Sequence, residues 1–186
     1  MKKLIFTVAA VCAFGFANAQ DDSMSFGVKG GVNMASVDAE DTGSLISFHV
    51  GGFAEFMLTE KFAIQPELTY SGQGAKVEGF GGDYNLNLNY LNLPIMAKYF
   101  VTEDLSIELG PQIGFLMSAK ADGEDAKDDF NTTDFGLNLG VGFNLNENMV
   151  LGLRYNMGLT ELEKEVAAGA EGTKQSVLQV SFGYKF

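Results

Sequence analysis

The sequence predicts an all-β fold: an eight-stranded antiparallel up-and-down β-barrel that crosses a membrane. Three observations predict it. Apolar residues recur at every second position through eight separate segments, the connections between segments alternate between short and long, and glycine, serine and asparagine crowd the face opposite the apolar one. Period-two alternation marks a strand with two unlike faces. Eight is an even count, and each segment is long enough to cross a bilayer when tilted.

The chain opens with a segment that does not belong to the barrel. Lys2 and Lys3 precede an apolar run from Leu4 to Phe16, and Ala17-Asn18-Ala19 gives a small-x-small cleavage pattern. Residues 1–19 are therefore expected to be an export signal and residues 20–186 the barrel domain. Cys12 raises a lipid-attachment reading, but Val11 before it is not the small residue such a site wants. Loss of the signal removes the chain's only cysteine, so burial and the backbone network must carry stability without disulfides. It also leaves 10 of the 12 basic residues against all 24 acidic ones, a formal charge of −14. That balance argues against a nucleic-acid partner, which needs a basic surface.

The strands follow in order. The first sets Phe26, Val28, Val32 and Met34 against Gly27, Lys29, Gly31 and Asn33; the second sets Ile46, Phe48, Val50, Phe56 and Leu58 against Ser47, His49, Gly51 and Glu55. The third alternates Phe62, Ile64, Leu68 and Tyr70 with Gln65, Glu67, Thr69 and Ser71. The fourth, from about Leu86 to Tyr99, carries Leu86, Leu88 and Tyr90 on one parity and Leu91, Leu93, Ile95, Ala97 and Tyr99 on the other, which predicts a β-bulge near Tyr90-Leu91. The fifth (Leu105 to Met117), sixth (Asp134 to Leu145) and seventh (Met149 to Leu159) alternate without a break, and the eighth ends the chain at Phe186. Short turns are expected at Thr59–Lys61, Val101–Asp104 and Asn146–Asn148, and long polar loops near Val37–Leu45, Gly72–Asn85, Ala119–Asn131 and Glu161–Thr173. In an outer-membrane barrel this places both termini in the periplasm.

A soluble barrel also alternates, with its faces exchanged. Here the polar face is mostly small residues, which suits the crowded interior of eight strands. The apolar face gathers aromatics toward both ends: Phe26, Phe56, Phe62, Tyr99, Phe143, Tyr184 and Phe186 at the short-turn end, and Phe48, Tyr70, Tyr90, Phe115, Phe135 and Tyr155 at the other. Two aromatic girdles around an aliphatic waist indicate lipid outside. Lys29, Lys98, Arg154 and Lys185 then share the interior with Glu55, Glu67 and Glu108. Charges there must pair, so a structural network of salt bridges across the lumen is expected; an ion or solute path is the alternative. Pro66, Pro94 and Pro111 interrupt neighbouring strands, which predicts bulges there or a lateral weak point.

Tyr90-Leu91-Asn92-Leu93-Pro94-Ile95-Met96-Ala97-Lys98-Tyr99 resembles the strand pattern of PorT-like outer-membrane β-barrel proteins of the Bacteroidetes type. Gly27 to Asn33, Gln65 to Ser71, Gly110 to Gly114, Asp134 to Gly142 and Arg154 to Leu159 continue the pattern. The resemblance implies the barrel fold, and for its name-giving member an accessory place in protein secretion. Gln179, Ser181, Tyr184 and Phe186 resemble the C-terminal signal read by the barrel-assembly machinery, with Ser181 where glycine is usual.

Little in the sequence carries chemistry. His49, the only histidine, shares the interior parity with Ser47, but no motif supports a triad. The loop Asp122 to Asp129 is rich in carboxylates that suit calcium, yet its spacing is not that of an EF-hand. The glycines of Gly136 to Gly142 alternate within a strand, with no helix to follow, and do not form a phosphate loop. No catalytic residue, metal ligand or cofactor is expected. The reading is a non-enzymatic envelope protein with a structural or interaction role; narrow or gated transport is the alternative, and a hydrolase at the rim a third. The partners expected are outer-membrane lipid and lipopolysaccharide, the assembly machinery through Phe186, and an envelope protein.

Overall fold

The computed structural model describes residues 24–38, 42–77, 84–164 and 172–186. The expected export signal lies outside them. Eight strands, β1 (Met24–Val37), β2 (Thr42–Thr59), β3 (Phe62–Val77), β4 (Tyr84–Phe100), β5 (Leu105–Ala121), β6 (Thr133–Asn144), β7 (Met149–Gly158) and β8 (Gln175–Lys185), pair antiparallel, each with the next. β1 closes the ring on β8, from Gly27 opposite Lys185 to Val37 opposite Gln175. Closure removes the free sheet edge that a bilayer would not tolerate. Phe186 donates its backbone N–H to Phe26 at 2.8 Å, so pairing runs to the last residue.

The alternation resolves into lipid and lumen as the composition requires. Val32, Leu139, Val180 and their neighbours on the same parity stand exposed, while Asn33, Asn138 and Gln179 beside them are buried. Exposed aromatics ring both ends, with Phe48 against Tyr70 at 6.1 Å and Tyr184 against Phe186 at 5.7 Å. Gly31 permits close strand contact: a Cβ there would strike the Val180 carbonyl oxygen and the His49 ring.

Two expectations fail, for instructive reasons. Tyr90 does not belong to the outer girdle; it is 2 % exposed and faces the lumen, as does Leu88. β3 and β4 keep one register from Phe62 opposite Tyr99 to Val77 opposite Tyr84, so no bulge in β4 returns these side chains to the outside. The bulge lies across the pair instead: Asn89 faces Ser118 and Tyr90 faces Leu116, leaving Met117 of β5 as the extra residue. The parity change in the sequence has another cause. β2 to β5 run 16 to 18 residues, well beyond the 9–11 that a tilted spanning strand needs. Past the bilayer the outer surface meets water, so apolar side chains turn inward and Asn85, Asn87, Lys76 and Lys120 turn out.

The prolines do not sit in bulges either. The β3–β4 ladder skips from Pro66–Ile95 to Thr69–Asn92, and the β4–β5 ladder from Pro94–Gln112 to Ala97–Leu109, with the register unchanged across each gap. Missing donors open the ladder locally without displacing it.

Candidate functional site

The lumen is filled in three tiers. Nearest the short turns lies an ionic tier that brings together all seven interior charges named from the sequence. β2 supplies Glu55, which meets Lys98 of β4 at 2.7 Å and Lys185 of β8 at 2.5 Å. Lys98 reaches on to Glu108 of β5 at 3.4 Å, and Glu108 meets Arg154 of β7 at 3.0 Å. Arg154 forks onto Glu67 of β3 at 2.9 and 2.8 Å, and Lys29 of β1 meets the same carboxylate at 2.5 Å. Gln65 joins the halves, donating to Glu67 at 2.8 Å and accepting from Lys98 at 3.1 Å. The network crosses the lumen because inward positions on seven of the eight strands converge in so narrow a ring. Each charge is nearly sealed from water, and pairing with good geometry offsets the cost of burying it.

Above it lies a neutral polar tier. Asn33 is its hub: Oδ1 lies 2.7 Å from His49 Nδ1 and accepts from Gln179 at 3.1 Å, and Nδ2 donates to Ser71 at 2.9 Å and to the Gly72 carbonyl at 2.6 Å. Gln73 donates to Ser71 at 3.1 Å and accepts from Gln175. On the opposite wall Asn156 donates to Asn138 at 3.1 Å, and Asn138 to Gln112 at 3.3 Å.

The outer end is closed by an apolar tier of Leu88, Tyr90, Leu116, Ala119 and Leu162, flanked by Val37, Leu86 and Phe130. Leu162 arrives from the connection after β7, which is stitched to that after β5: Phe130 bridges Glu163, and Asn131 Nδ2 donates to the Glu161 and Glu163 carbonyls at 2.9 Å each. Asp134, at the start of β6, is buried, and its Oδ1 has no hydrogen-bond partner among the described residues.

Ser47 is not the partner of His49; it donates to the Gly72 carbonyl at 2.6 Å. His49 Nε2 instead lies 3.0 Å from Ser181 Oγ, so Ser181, His49 and Asn33 stand in the order of a nucleophilic triad. Acyl transfer further needs a reacting carbon near the nucleophile and donors aimed at its oxygen. The space Ser181 borders is a cavity of about 40 Å³, room for water-sized species. The carboxylates of Asp122 to Asp129 do not converge: among the described residues no three acids, histidines or cysteines gather as metal ligands. Sequence reasoning missed Ser181, Asn33 and the apolar tier. The inward parity of Asn33 and Ser181 was legible, but their meeting with His49 depends on the β1–β8 closure.

The outer membrane protein beta-barrel domain family model matches residues 18–163, and the chain belongs to that family. Its place is the outer membrane. Among solved structures the fold is similar to Neisserial surface protein A (17 % identity, 89 % of this chain and 100 % of that one, TM-score 0.58). It is likewise similar to Ail, the attachment invasion locus protein of Yersinia pestis (13 % identity, 89 % and 100 %, TM-score 0.54), and to OprG of Pseudomonas aeruginosa (17 %, 88 % and 96 %, TM-score 0.50). No curated protein matches the chain.

Proposed function

We propose that this is a closed, non-enzymatic outer-membrane barrel whose lumen is a structural plug and whose outer end is a docking platform. The observation that carries the reading is the continuous filling of the lumen: ionic tier, amide tier and apolar tier follow one another. Eight strands leave room for side chains and no aqueous channel. The extended ends of β2 to β5 and the two stitched connections hold a rigid surface above the bilayer, with Asp122, Glu124, Asp125, Asp128 and Asp129 at its rim. An envelope protein is the expected partner of this surface. The PorT-like resemblance makes an accessory place in secretion one form of the role. In the same reading the signal at residues 1–19 is removed, both termini lie in the periplasm, Phe186 engages the assembly machinery, and divalent ions bridge the acidic rim to lipopolysaccharide phosphates.

Planar-bilayer recording tests it. The refolded barrel is expected to give no discrete conductance steps. Steps that change when Arg154 is replaced would overturn the plug and establish an ion path. Lipid and peptide ester turnover is expected to be absent, and turnover lost in both Ser181→Ala and His49→Gln would establish a hydrolase. Crosslinking in the envelope is expected to capture a protein through the outer connections.

A further inference from the structure

The ionic tier does not balance. It holds four cations, Lys29, Lys98, Arg154 and Lys185, against three carboxylates, Glu55, Glu67 and Glu108. Asp134, a further buried acid of the lumen, is too remote to settle the difference. It lies six residues along β6 from Gly140, the partner of Arg154, about 20 Å away at a strand rise of about 3.3 Å. Lys29 and Lys185 are each only 9 % exposed, and an unmatched charge so nearly sealed from water is costly.

The hydrogen-bond inventory locates the surplus. An ammonium has three donors. Lys98 uses its three on Glu55, Gln65 and Glu108. Lys29 Nζ has one acceptor among the described residues, Glu67, and Lys185 Nζ has one, Glu55. Two N–H groups on each lysine are therefore left over. Both lysines line the same cavity of about 40 Å³, together with Lys98, Arg154 and the Ser181 hydroxyl. Glu108 alone of the three carboxylates borders it, Gln65 lies in the same wall, and Phe53 and Val150 add apolar surface.

We propose that this cavity is a binding site for one small monovalent anion of chloride size, held by the spare N–H groups of Lys29 and Lys185 and neutralising the ionic tier. Donors on one side and hydrocarbon on the other suit a weakly hydrated halide. The volume, enough for one or two water-sized species, suits a single small ion. The ion completes the charge network and holds the first and last strands, which carry the two lysines and close the barrel.

Two measurements on the refolded barrel in detergent micelles decide the matter. Urea unfolding is followed while chloride replaces methanesulfonate at constant ionic strength. The midpoint should rise and then saturate, and at tenfold excess over the dissociation constant the folded-to-unfolded ratio should increase about elevenfold. Crystals grown in sodium bromide should show one anomalous peak between Lys29 and Lys185. Lys29→Gln and Lys185→Gln should each abolish both signals, and a variant that does not fold leaves the decision to the parent protein. A midpoint indifferent to the anion, or bromide density only elsewhere on the barrel, overturns the site.

Discussion

Replacing Glu67 by glutamine keeps the shape of the side chain and removes its charge, so the change isolates what the ionic tier contributes. Glu67 has no solvent-exposed side-chain surface, and its two oxygens take Lys29 at 2.5 Å, both terminal nitrogens of Arg154 at 2.9 and 2.8 Å, and Gln65 at 2.8 Å. Glutamine offers one acceptor oxygen, and its amide N–H₂ confronts donors. Lys29 loses its one carboxylate partner among the described residues, while Arg154 keeps Glu108 at 3.0 Å. Breaking a buried ion pair from one side costs about 3–5 kcal/mol, and the contact retained by Arg154 places this case at about 3 kcal/mol. Glu108→Gln, whose partners lie at 3.0 and 3.4 Å, should cost less. Adding Lys29→Met to Glu67→Gln removes the stranded cation and should recover about 1 kcal/mol, within the usual range of coupling between contacting residues. The chain holds no tryptophan, so urea unfolding is best followed by far-UV circular dichroism or by the gel shift of folded against unfolded barrel. A Glu67→Gln midpoint indistinguishable from that of the parent would refute the reasoning, as would equal losses for Glu67→Gln and Glu108→Gln.

Other perturbations test other parts of the architecture. Leu139→Arg, at the middle of β6 on the exposed face, should cost about 2–4 kcal/mol in vesicles if that face meets lipid; unchanged folding yield would deny it. Gly31→Ala drives a methyl group into the Val180 carbonyl and the His49 ring and should cost about 1–3 kcal/mol, whereas Gly52→Ala, whose added carbon would lie 3.5 Å from the Gly27 carbonyl oxygen, should be tolerated when both are compared by urea titration. Leu162→Ala should cost about 2–5 kcal/mol locally and speed cleavage of the connection after β7 by protease added outside vesicles, without opening the ionic tier.

The sequence by itself determined the barrel. Period-two alternation, an even number of segments and the alternation of turn lengths suffice, because in lipid each backbone group must find a partner and strands can do so only by closing on themselves. It also named the seven interior charges, since parity alone tells which side of a strand a residue faces. What it left undecided depends on which residues meet across the ring. Leu86, Leu88 and Tyr90 change phase against Leu91 and Leu93, and a bulge or a change of surrounding solvent writes the same pattern; only the unbroken β3–β4 register separates the two. His49 has Ser47 two residues away, yet Ser181, more than a hundred residues distant, is its hydrogen-bond partner because β8 returns to β1. The pairing of Glu67 with Arg154 and Lys29 was equally out of reach, for register and shear are properties of the closed ring and no single strand carries them.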